Sequence, residues 1–253
     1  MQPEAFIDCA TIERTESTVA HTALTRIHVW DLPIRIFHWA LVAAVTTAII
    51  TGELGGTWMP IHEKAGLTII GLVVFRLVWG FVGSTHARFL NFVPSPKKIN
   101  AYVKGKWQGV GHNPLGALSV FALLGLLALQ AGTGLFSNDD ITFSGPLSSF
   151  VDEVLSHRLT AFHQLLSYLL LGLTALHVLV IGFYVWYKKH NLIKPMVTGW
   201  TEAEVDKPAE KGKLPALILA LLFAFVAVYF ASGAFKHAAP LVKASTTVGT
   251  PAW

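Results

Sequence analysis

The sequence holds a single cysteine, Cys9, among its 253 residues. One thiol forms no disulfide within the chain, and it supplies too few thiolates to hold an iron–sulfur cluster. The C-x-x-C-H motif for covalent attachment of a c-type haem is also absent from the sequence. The beginning of the chain contains Glu4 and Asp8 and lacks an apolar run, so we expect no secretory signal peptide.

Charged residues are scarce as well. They make up 13% of the sequence and hydrophobic residues make up 53%, whereas a soluble domain carries about 25% charged residues. This deficit predicts an all-α integral membrane protein. Five apolar stretches are long enough to span a bilayer as helices, and we place them at 33–52, 61–82, 115–136, 159–187 and 214–235.

The predicted organisation is a bundle of four transmembrane helices followed by a fifth, C-terminal one. Residues 1–28 are expected to form a cytoplasmic N-terminal tail, and residues 29–194 the four-helix bundle. A stretch with Pro and Gly at 195–213 reads as a linker to the fifth helix at 214–235, and residues 236–253 as a C-terminal tail.

Charge is unevenly distributed between the connecting segments. Lys and Arg concentrate before the first predicted helix, between the second and third, and after the fourth. The loop between the third and fourth helices is acidic, with Asp139, Asp140, Asp152 and Glu153. The positive-inside rule then predicts a cytoplasmic N-terminus and an external C-terminus. Tryptophans near helix ends are expected to anchor the helices at the lipid interface; these are Trp39, Trp58, Trp79 and Trp186.

Four of the 11 histidines lie inside apolar stretches, and these are His38, His62, His163 and His177. His163 and His177 are 14 residues apart on the predicted fourth helix. Fourteen residues are close to four helical turns, so both imidazoles leave the same face about 21 Å apart along the axis. Because successive helices alternate in direction, His38 lies at the cytoplasmic depth of His177, and His62 lies at the outer depth of His163.

Two depth-matched pairs predict two bis-histidine haem b sites, because bundles build cofactor sites from side chains on facing helices. A single intramembrane histidine is as readily explained by packing or by a proton relay as by haem ligation. Two pairs matched in depth are harder to explain by packing or a proton relay. Among the other histidines, four lie in predicted loops or at helix ends and are expected at interfaces or in solvent; these are His86, His112, His157 and His190. Of these, His157 is best placed to replace a misassigned ligand.

Small and cationic residues near the four histidines support the same hypothesis. Gly66 lies one turn after His62, and Gly52 follows His38 by 14 residues, where a small residue lets a flat macrocycle approach the backbone. Ordinary small-residue helix packing explains either glycine as well. Arg76 follows His62 by 14 residues, at the depth of the inner haem, where it is expected to pair with a propionate. Snorkelling of Arg76 to the interface is the alternative.

The chain resembles the bacterial di-haem cytochrome b561 group, which includes the b-type cytochrome subunit of membrane-bound nickel–iron hydrogenases. The resemblance rests on VWDLPIRIFHW, RLVWGFVGSTHARF, GHNPLGALS, QAGTGLF, ALHV and NLIKPMVTG, which together fall within about residues 28–200. It implies a bundle in the bacterial inner membrane with two non-covalent haems b. The ligands of the family carry over onto His38, His62, His163 and His177.

A haem with two imidazole ligands has no open position on iron, so it passes electrons. We therefore predict an electron-transfer subunit of a respiratory oxidoreductase, working between the quinone pool and a redox partner such as a periplasmic cytochrome c or a hydrogenase subunit. Arg35, Arg76 and the basic second loop are expected to raise the potential of the inner haem. The acidic outer loop either docks a cationic cytochrome or is simply solvated.

Two other functions compete with this one. An outer haem that oxidises superoxide and passes electrons to quinone would make the chain an enzyme in the stricter sense. A metal-ion or proton transporter would use the same histidines without haem, although transporters usually show internal repeats or broken helices. Nothing in the sequence points to a nucleic-acid partner, and the sequence leaves open whether the chain forms a homo- or hetero-oligomer.

Overall fold

A computed structural model describes residues 25–107, 111, 113–141, 143–203 and 210–238. Short elements lie between and beside the predicted spans; they are β1 (Thr25–His28), α3 (Phe89–Phe92), α4 (Pro96–Val103), a 3-10 turn (Ser148–Phe150), α7 (Ile193–Thr198), β2 (Trp200–Ala203) and α9 (Phe235–Ala238). The N-terminal tail up to residue 24, the C-terminal tail from residue 239, Cys9 and His112 lie outside the described residues.

Five helices in the described part of the chain are long and apolar enough to cross a membrane. They are α1 (Leu32–Leu54), α2 (Met59–Val82, entered through a 3-10 turn at Gly56–Trp58), α5 (Pro114–Gly134), α6 (Glu153–Trp186) and α8 (Leu214–Ala231). The five predicted spans are therefore confirmed as helices, and their ends move by at most six residues.

Capping residues explain the shifted ends. Asp31 accepts a hydrogen bond from the Ile34 N–H at 2.9 Å, which starts α1. Asp152 does the same for the Leu155 N–H at 2.8 Å. The start of α6 therefore precedes the predicted start at residue 159, because its first turns carry polar residues that hydropathy does not detect. At the other end of the chain, α8 stops at Ala231 before Gly233, whose φ is +70°.

The second helix is the centre of the fold. It packs against α1, α5 and α8, while α6 packs against α5. Gly71 on α2 lets α8 approach closely, since a Cβ at this position would lie 2.9 Å from Cγ2 of Val228. Ala220 on α8 is fully buried in one apolar cluster with Phe75 and Trp79 of α2. The fifth helix is therefore an integral part of the packed core.

Trp79 is a core residue in this arrangement. Its side chain is 1% exposed and its indole Nε1 donates to Oδ2 of Asp31 at 3.1 Å. The expectation of a lipid anchor at Trp79 was therefore wrong, because the loops and α8 cover the end of α2. Trp39, Trp58 and Trp186 remain exposed, as interfacial anchors would be.

A short antiparallel ribbon links the beginning of the described chain to the segment after α6. Strand β1 pairs with β2 in the register Thr25 to Ala203 and His28 to Trp200. The backbone N–H of Val29 also donates to the carbonyl of Gly199 at 2.9 Å. This pairing was not predicted; it joins the end of the expected N-terminal tail to the expected linker after α6.

The two ends of the bundle differ in charge. The basic end contains the connection from α2 to α5, with Arg88, Lys97, Lys98, Lys104 and Lys106, and the segment after α6. Within it, the hydroxyl of Tyr102 on α4 hydrogen-bonds with the hydroxyl of Tyr184 on α6. The acidic end contains the loop between α5 and α6.

Candidate functional site

His62 on α2 and His163 on α6 face each other near the acidic end. Their ring centroids are 6.2 Å apart and the ring planes are inclined at 83°. These are two of the residues that the sequence analysis placed at one depth. Because α2 and α6 are separated by one spanning helix, they run in the same direction, and the two histidines meet since each lies in the first part of its helix.

Hydrogen bonds set the orientation of both rings. Nδ1 of His62 lies 2.8 Å from the backbone carbonyl of Ala48, and Nδ1 of His163 lies 2.9 Å from that of Gln130. A carbonyl oxygen only accepts, so Nδ1 carries the proton in each ring and Nε2 keeps its lone pair. Metal-bound histidines commonly donate the remaining ring N–H in this way.

The segment QAGTGLF surrounds His163. The Gln130 side-chain amide nitrogen lies 3.1 Å from Nε2, where it donates, and Oε1 of Gln130 is buried with no partner among the described residues. Oγ1 of Thr133 lies 3.3 Å from Nδ1. Sequence reasoning missed Gln130 and Thr133 as site residues. Their signal was polarity within an otherwise apolar helix.

Two glycines make room for the facing rings. A Cβ at Gly134 would lie 2.9 Å from Cε1 of His163, and a Cβ at Gly52 would lie 3.1 Å from the ring of His62. Gly52 therefore contacts the outer pair, although it was selected for its spacing from His38. No described atom lies within 4 Å of a Cβ built on Gly66, which borders open space.

That open space is a cavity of about 550 Å³ between α1, α2, α5 and α6. Ligand pockets in proteins usually have volumes of about 300–1,000 Å³. Apolar side chains dominate the wall, and both histidines, Gly52, Gly66, Gln130 and Gly134 border it. Three carboxylates also line it and no described Lys or Arg does; the carboxylates belong to Glu53, Glu63 and Asp139.

The second pair lies nearer the basic end. His38 on α1 interacts electrostatically with His177 on α6. Nδ1 of His38 is buried and no described residue provides it with a hydrogen-bond partner. Nδ1 of His177 lies 3.5 Å from Oγ of Ser119 on α5, a long contact that the sequence analysis did not anticipate. The imidazoles of this pair are thus less firmly held than those of the outer pair.

Arg35 lies one turn before His38. Its Nη1 donates to the carbonyl of Val197 at 2.6 Å, while its Nε is buried without a partner among the described residues. An arginine that ties α1 to α7 and still has a buried donor available suits an anionic group beside His38.

Arg76, unlike Arg35, has its guanidinium enclosed by contacts within the protein. The residue is 3% exposed, its Nη1 donates to the carbonyl of Ala87 at 3.1 Å, and its guanidinium carbon lies 4.4 Å from the Phe89 ring centroid. These contacts hold the loop after α2 against the bundle. They place the guanidinium inside the protein, whereas a snorkelling arginine would extend to the surface.

His157 belongs to the surface of the acidic end. Its Nδ1 lies 3.3 Å from Oδ2 of Asp140 and its Nε2 lies 3.7 Å from Oε1 of Glu153. With both ring nitrogens facing carboxylates, His157 is no substitute for His163. The other acidic-loop residues also have structural partners: Oδ1 of Asp139 accepts from the backbone N–H groups of Ile141 and Phe143.

Two further histidines lie at the basic end outside the spanning helices. Burial lowers the pKa of His28, and the nearby Arg35 lowers it further. Burial also lowers the pKa of His86, with a contribution from His28. Both are expected to be mainly neutral at pH 7.

The geometry of the acidic-end pair fits a haem. Two neutral imidazoles border one cavity with a largely apolar wall, each has Nε2 as its acceptor nitrogen, which in His163 faces the Gln130 amide, and glycines flank both rings. Axial ligation of haem by histidine uses these features, and burial in an apolar wall tunes its potential. At the other pair, the buried and unpartnered nitrogens of His38 and Arg35 are compatible with such a group.

Comparison with known proteins now decides the family. The sequence model of the prokaryotic cytochrome b561 family matches residues 29–199. The chain belongs to the prokaryotic cytochrome b561 family. The membership makes it a b-type cytochrome of the bacterial membrane, with haem b as the implied cofactor and membrane electron transfer as its role.

Curated relatives of this b561 chain share a name. The probable Ni/Fe-hydrogenase B-type cytochrome subunit of Azotobacter chroococcum is 26% identical over 225 residues, covering 73% of this chain and 92% of its own. The protein of the same name from Rhizobium leguminosarum is 25% identical, with 75% and 96% covered. A subunit of Escherichia coli K12 is 25% identical over 162 residues, covering 49% of this chain and 64% of its own. No solved structure matches the chain significantly.

Proposed function

We propose that this b561 chain carries electrons across the membrane through two haems b, between the quinone pool and a redox partner protein. The observation that carries the proposal is the outer pair, in which both imidazoles donate Nδ1–H to a backbone carbonyl and border one cavity. Nε2 of each ring is then the nitrogen that would bind iron, and at His163 the Gln130 amide that now donates to it would have to turn away. The ligand pairs are His62 with His163 and His38 with His177.

The bound haems supply reversible one-electron chemistry at iron. The protein residues hold and tune them. The carbonyls of Ala48 and Gln130 fix the ring tautomers, and these hydrogen bonds make the imidazoles stronger donors. Gly52 and Gly134 keep the space beside the rings free. The 14-residue step from His163 to His177 separates the two sites by about 21 Å along α6.

The environment of the inner pair differs in charge. Arg35 lies one turn from His38 with a buried donor available, and Arg76 on α2 adds a second cation, which is buried. Positive charge near a haem stabilises the reduced form relative to the oxidised form, which raises its potential. Arg35 and Arg76 would therefore favour the reduced form of a haem held by the inner pair.

The membrane orientation and the partner follow from charge and relatives. With the basic end in the cytoplasm, the acidic end meets a periplasmic partner. The curated relatives carry the name of hydrogenase cytochrome subunits, which supports a hydrogenase-like subunit as that partner. A cationic periplasmic cytochrome is the alternative, since Glu53, Glu63 and Asp139 surround the outer cavity.

The two competing functions receive less support. Superoxide is an anion, and the three carboxylates that line the outer cavity disfavour its approach. A haem-free transporter does not require the ring tautomers that carbonyls impose on His62 and His163. Membership in a b-type cytochrome family also opposes it.

The test is a reduced-minus-oxidised optical spectrum of the purified protein with a pyridine-haem count per chain. Two haems b per chain are expected. A count of one would mean that one ligand pair is misassigned, and absence of haem would remove the proposal. Reduction by a menaquinol or ubiquinol analogue then checks the quinone step.

A further inference from the structure

A second cavity, of about 590 Å³, lies at the basic end, away from all four candidate ligands. It forms where α2 ends and α8 begins, since Gly83 caps α2 and Lys213 caps α8. Its polar wall contains Arg88, Lys211 and Lys213, and its apolar wall contains Val82, Pro215 and Ala216.

The depth of this cavity is that of lipid headgroups. Both helices that frame it are long and apolar enough to cross the bilayer, and the cavity lies at their ends. Apolar residues on one side and cations on the other match the change from acyl chain to headgroup at this level. A phosphate of a phospholipid would therefore meet the cations while its chains extend along the apolar wall.

Charge in the cavity favours an anion. Three cations line it against one described carboxylate, that of Glu210. Nη2 of Arg88 lies 3.7 Å from Oε2 of Glu210, with side chains 40% and 74% exposed, so this pair contributes little. Nε of Arg88 donates to the carbonyl of Gly83 at 2.8 Å, which holds the guanidinium at the cavity. The first turn of α8 has no acidic residue and no side-chain cap.

We propose that this cavity binds the phosphate of an anionic phospholipid and that the lipid bridges α2 and α8. Basic pockets between transmembrane helices bind such headgroups through Lys and Arg. Bound lipid stabilises the packing of the fifth helix, because Arg88 follows α2 and Lys213 begins α8. This inference does not depend on haem content or on the identity of the redox partner.

The experiment titrates dioleoylphosphatidylglycerol, or dioleoylphosphatidylcholine, into delipidated full-length protein and counts bound lipid by native mass spectrometry. We expect dioleoylphosphatidylglycerol to bind in preference to dioleoylphosphatidylcholine. The double variant Lys211→Gln/Lys213→Gln is expected to bind it about 25-fold more weakly, at about fivefold for each lysine near the surface. Lys211→Arg/Lys213→Arg keeps the charge and is expected to retain binding.

Lys97→Gln/Lys98→Gln is the matched control, because it removes two exposed lysines on α4 at the same end of the bundle. Its binding is expected to equal that of the wild type. Equal weakening in both glutamine variants would assign the effect to diffuse surface charge and overturn the proposal. Equal binding of the two lipids would also overturn it, as would full displacement by millimolar inorganic phosphate, which would indicate a site for the free anion.

Discussion

Nδ1 of His163 donates to the backbone carbonyl of Gln130 at 2.9 Å, across the interface of α6 with α5. A backbone acceptor cannot be removed by exchanging a side chain, so the orientation of this imidazole depends on the packing of the two helices. The polar residues of the QAGTGLF segment thereby act on a histidine that lies about thirty positions later in the chain.

Removal of any one candidate ligand is expected to remove one haem. The variants His38→Ala, His62→Ala, His163→Ala and His177→Ala each leave one site without an axial imidazole, so the pyridine-haem count falls from two per chain to one. His157→Ala is the control, because this histidine faces Asp140 and Glu153. Retention of both haems in His62→Ala and His163→Ala would refute the outer pair.

The glycine beside His163 is expected to be intolerant of a methyl group. In Gly134→Ala the new Cβ would lie 2.9 Å from Cε1 of His163, so the ring must move away from its carbonyl acceptor. We expect lower occupancy of one haem or a shift of its midpoint potential. Gly132→Ala makes the same change two residues earlier, where nothing lies within 4 Å, and a similar effect in both variants would contradict the contact.

Neutralisation of Arg35 is expected to lower the potential of the inner haem. A unit charge about 10 Å away at an effective dielectric constant of about 20 corresponds to tens of millivolts. Redox titration of Arg35→Gln should therefore show one haem shifted down by roughly that amount, with the haem count unchanged. Arg158→Gln is the control, because it removes an exposed charge at the acidic end. A larger shift of the midpoint potential in Arg158→Gln than in Arg35→Gln would contradict a specific effect of Arg35.

Neutralisation of the carboxylates that line the outer cavity is expected to slow association with a cationic partner protein. In Glu53→Gln/Glu63→Gln two carboxylates that line the cavity lose their charge, and rim charges act mainly on association rate. Stopped-flow electron exchange with a basic c-type cytochrome should slow severalfold at low ionic strength and converge with wild type at high salt. Glu202→Gln, on β2 at the basic end, is the control. Salt-independent rates would exclude this docking mode.

Acid is expected to destabilise the basic end through His86. Burial lowers its pKa below 6.5 in the folded chain, so the unfolded chain binds the proton more readily. Its contribution to stability is present above about pH 6.5 and is lost as pH falls through the lowered pKa. The thermal unfolding temperature of His86→Gln should therefore fall less steeply than that of wild type as the pH is lowered from about 7 to about 5.

His190→Gln changes an exposed histidine just after α6 and serves as the comparison. The wild-type pH dependence is expected to persist in this variant. An unchanged slope in His86→Gln would show that the buried imidazole does not contribute to acid sensitivity.

The helices and the spacing of the histidines along them were predictable from sequence, because both follow from local features. Apolar length marks the spans, and a 14-residue step on one helix sets the relation of His163 to His177 whatever surrounds it. The polar first turns of α6 were not predictable from hydropathy, since a capping aspartate and not an apolar run starts that helix.

Side-chain partners across the fold were beyond sequence reasoning. Trp79 lies near the end of a spanning helix, as an interfacial anchor would, yet it donates to Asp31 in the core because α8 and the loops cover it. Gly52 was selected for its 14-residue step from His38, but its contact with His62 was not predicted, since its position opposite that ring depends on how α1 and α2 cross.

By itself, then, the sequence determined what a chain-local pattern can encode: five apolar helices long enough to cross a membrane, the charge of the segments that connect them, and the spacing of the histidines along them. Only the tertiary structure decided which carbonyls orient the rings, where a cavity remains, and that the fifth helix packs on the second. These depend on contacts between residues far apart in the chain, and close packing of the whole bundle selects them.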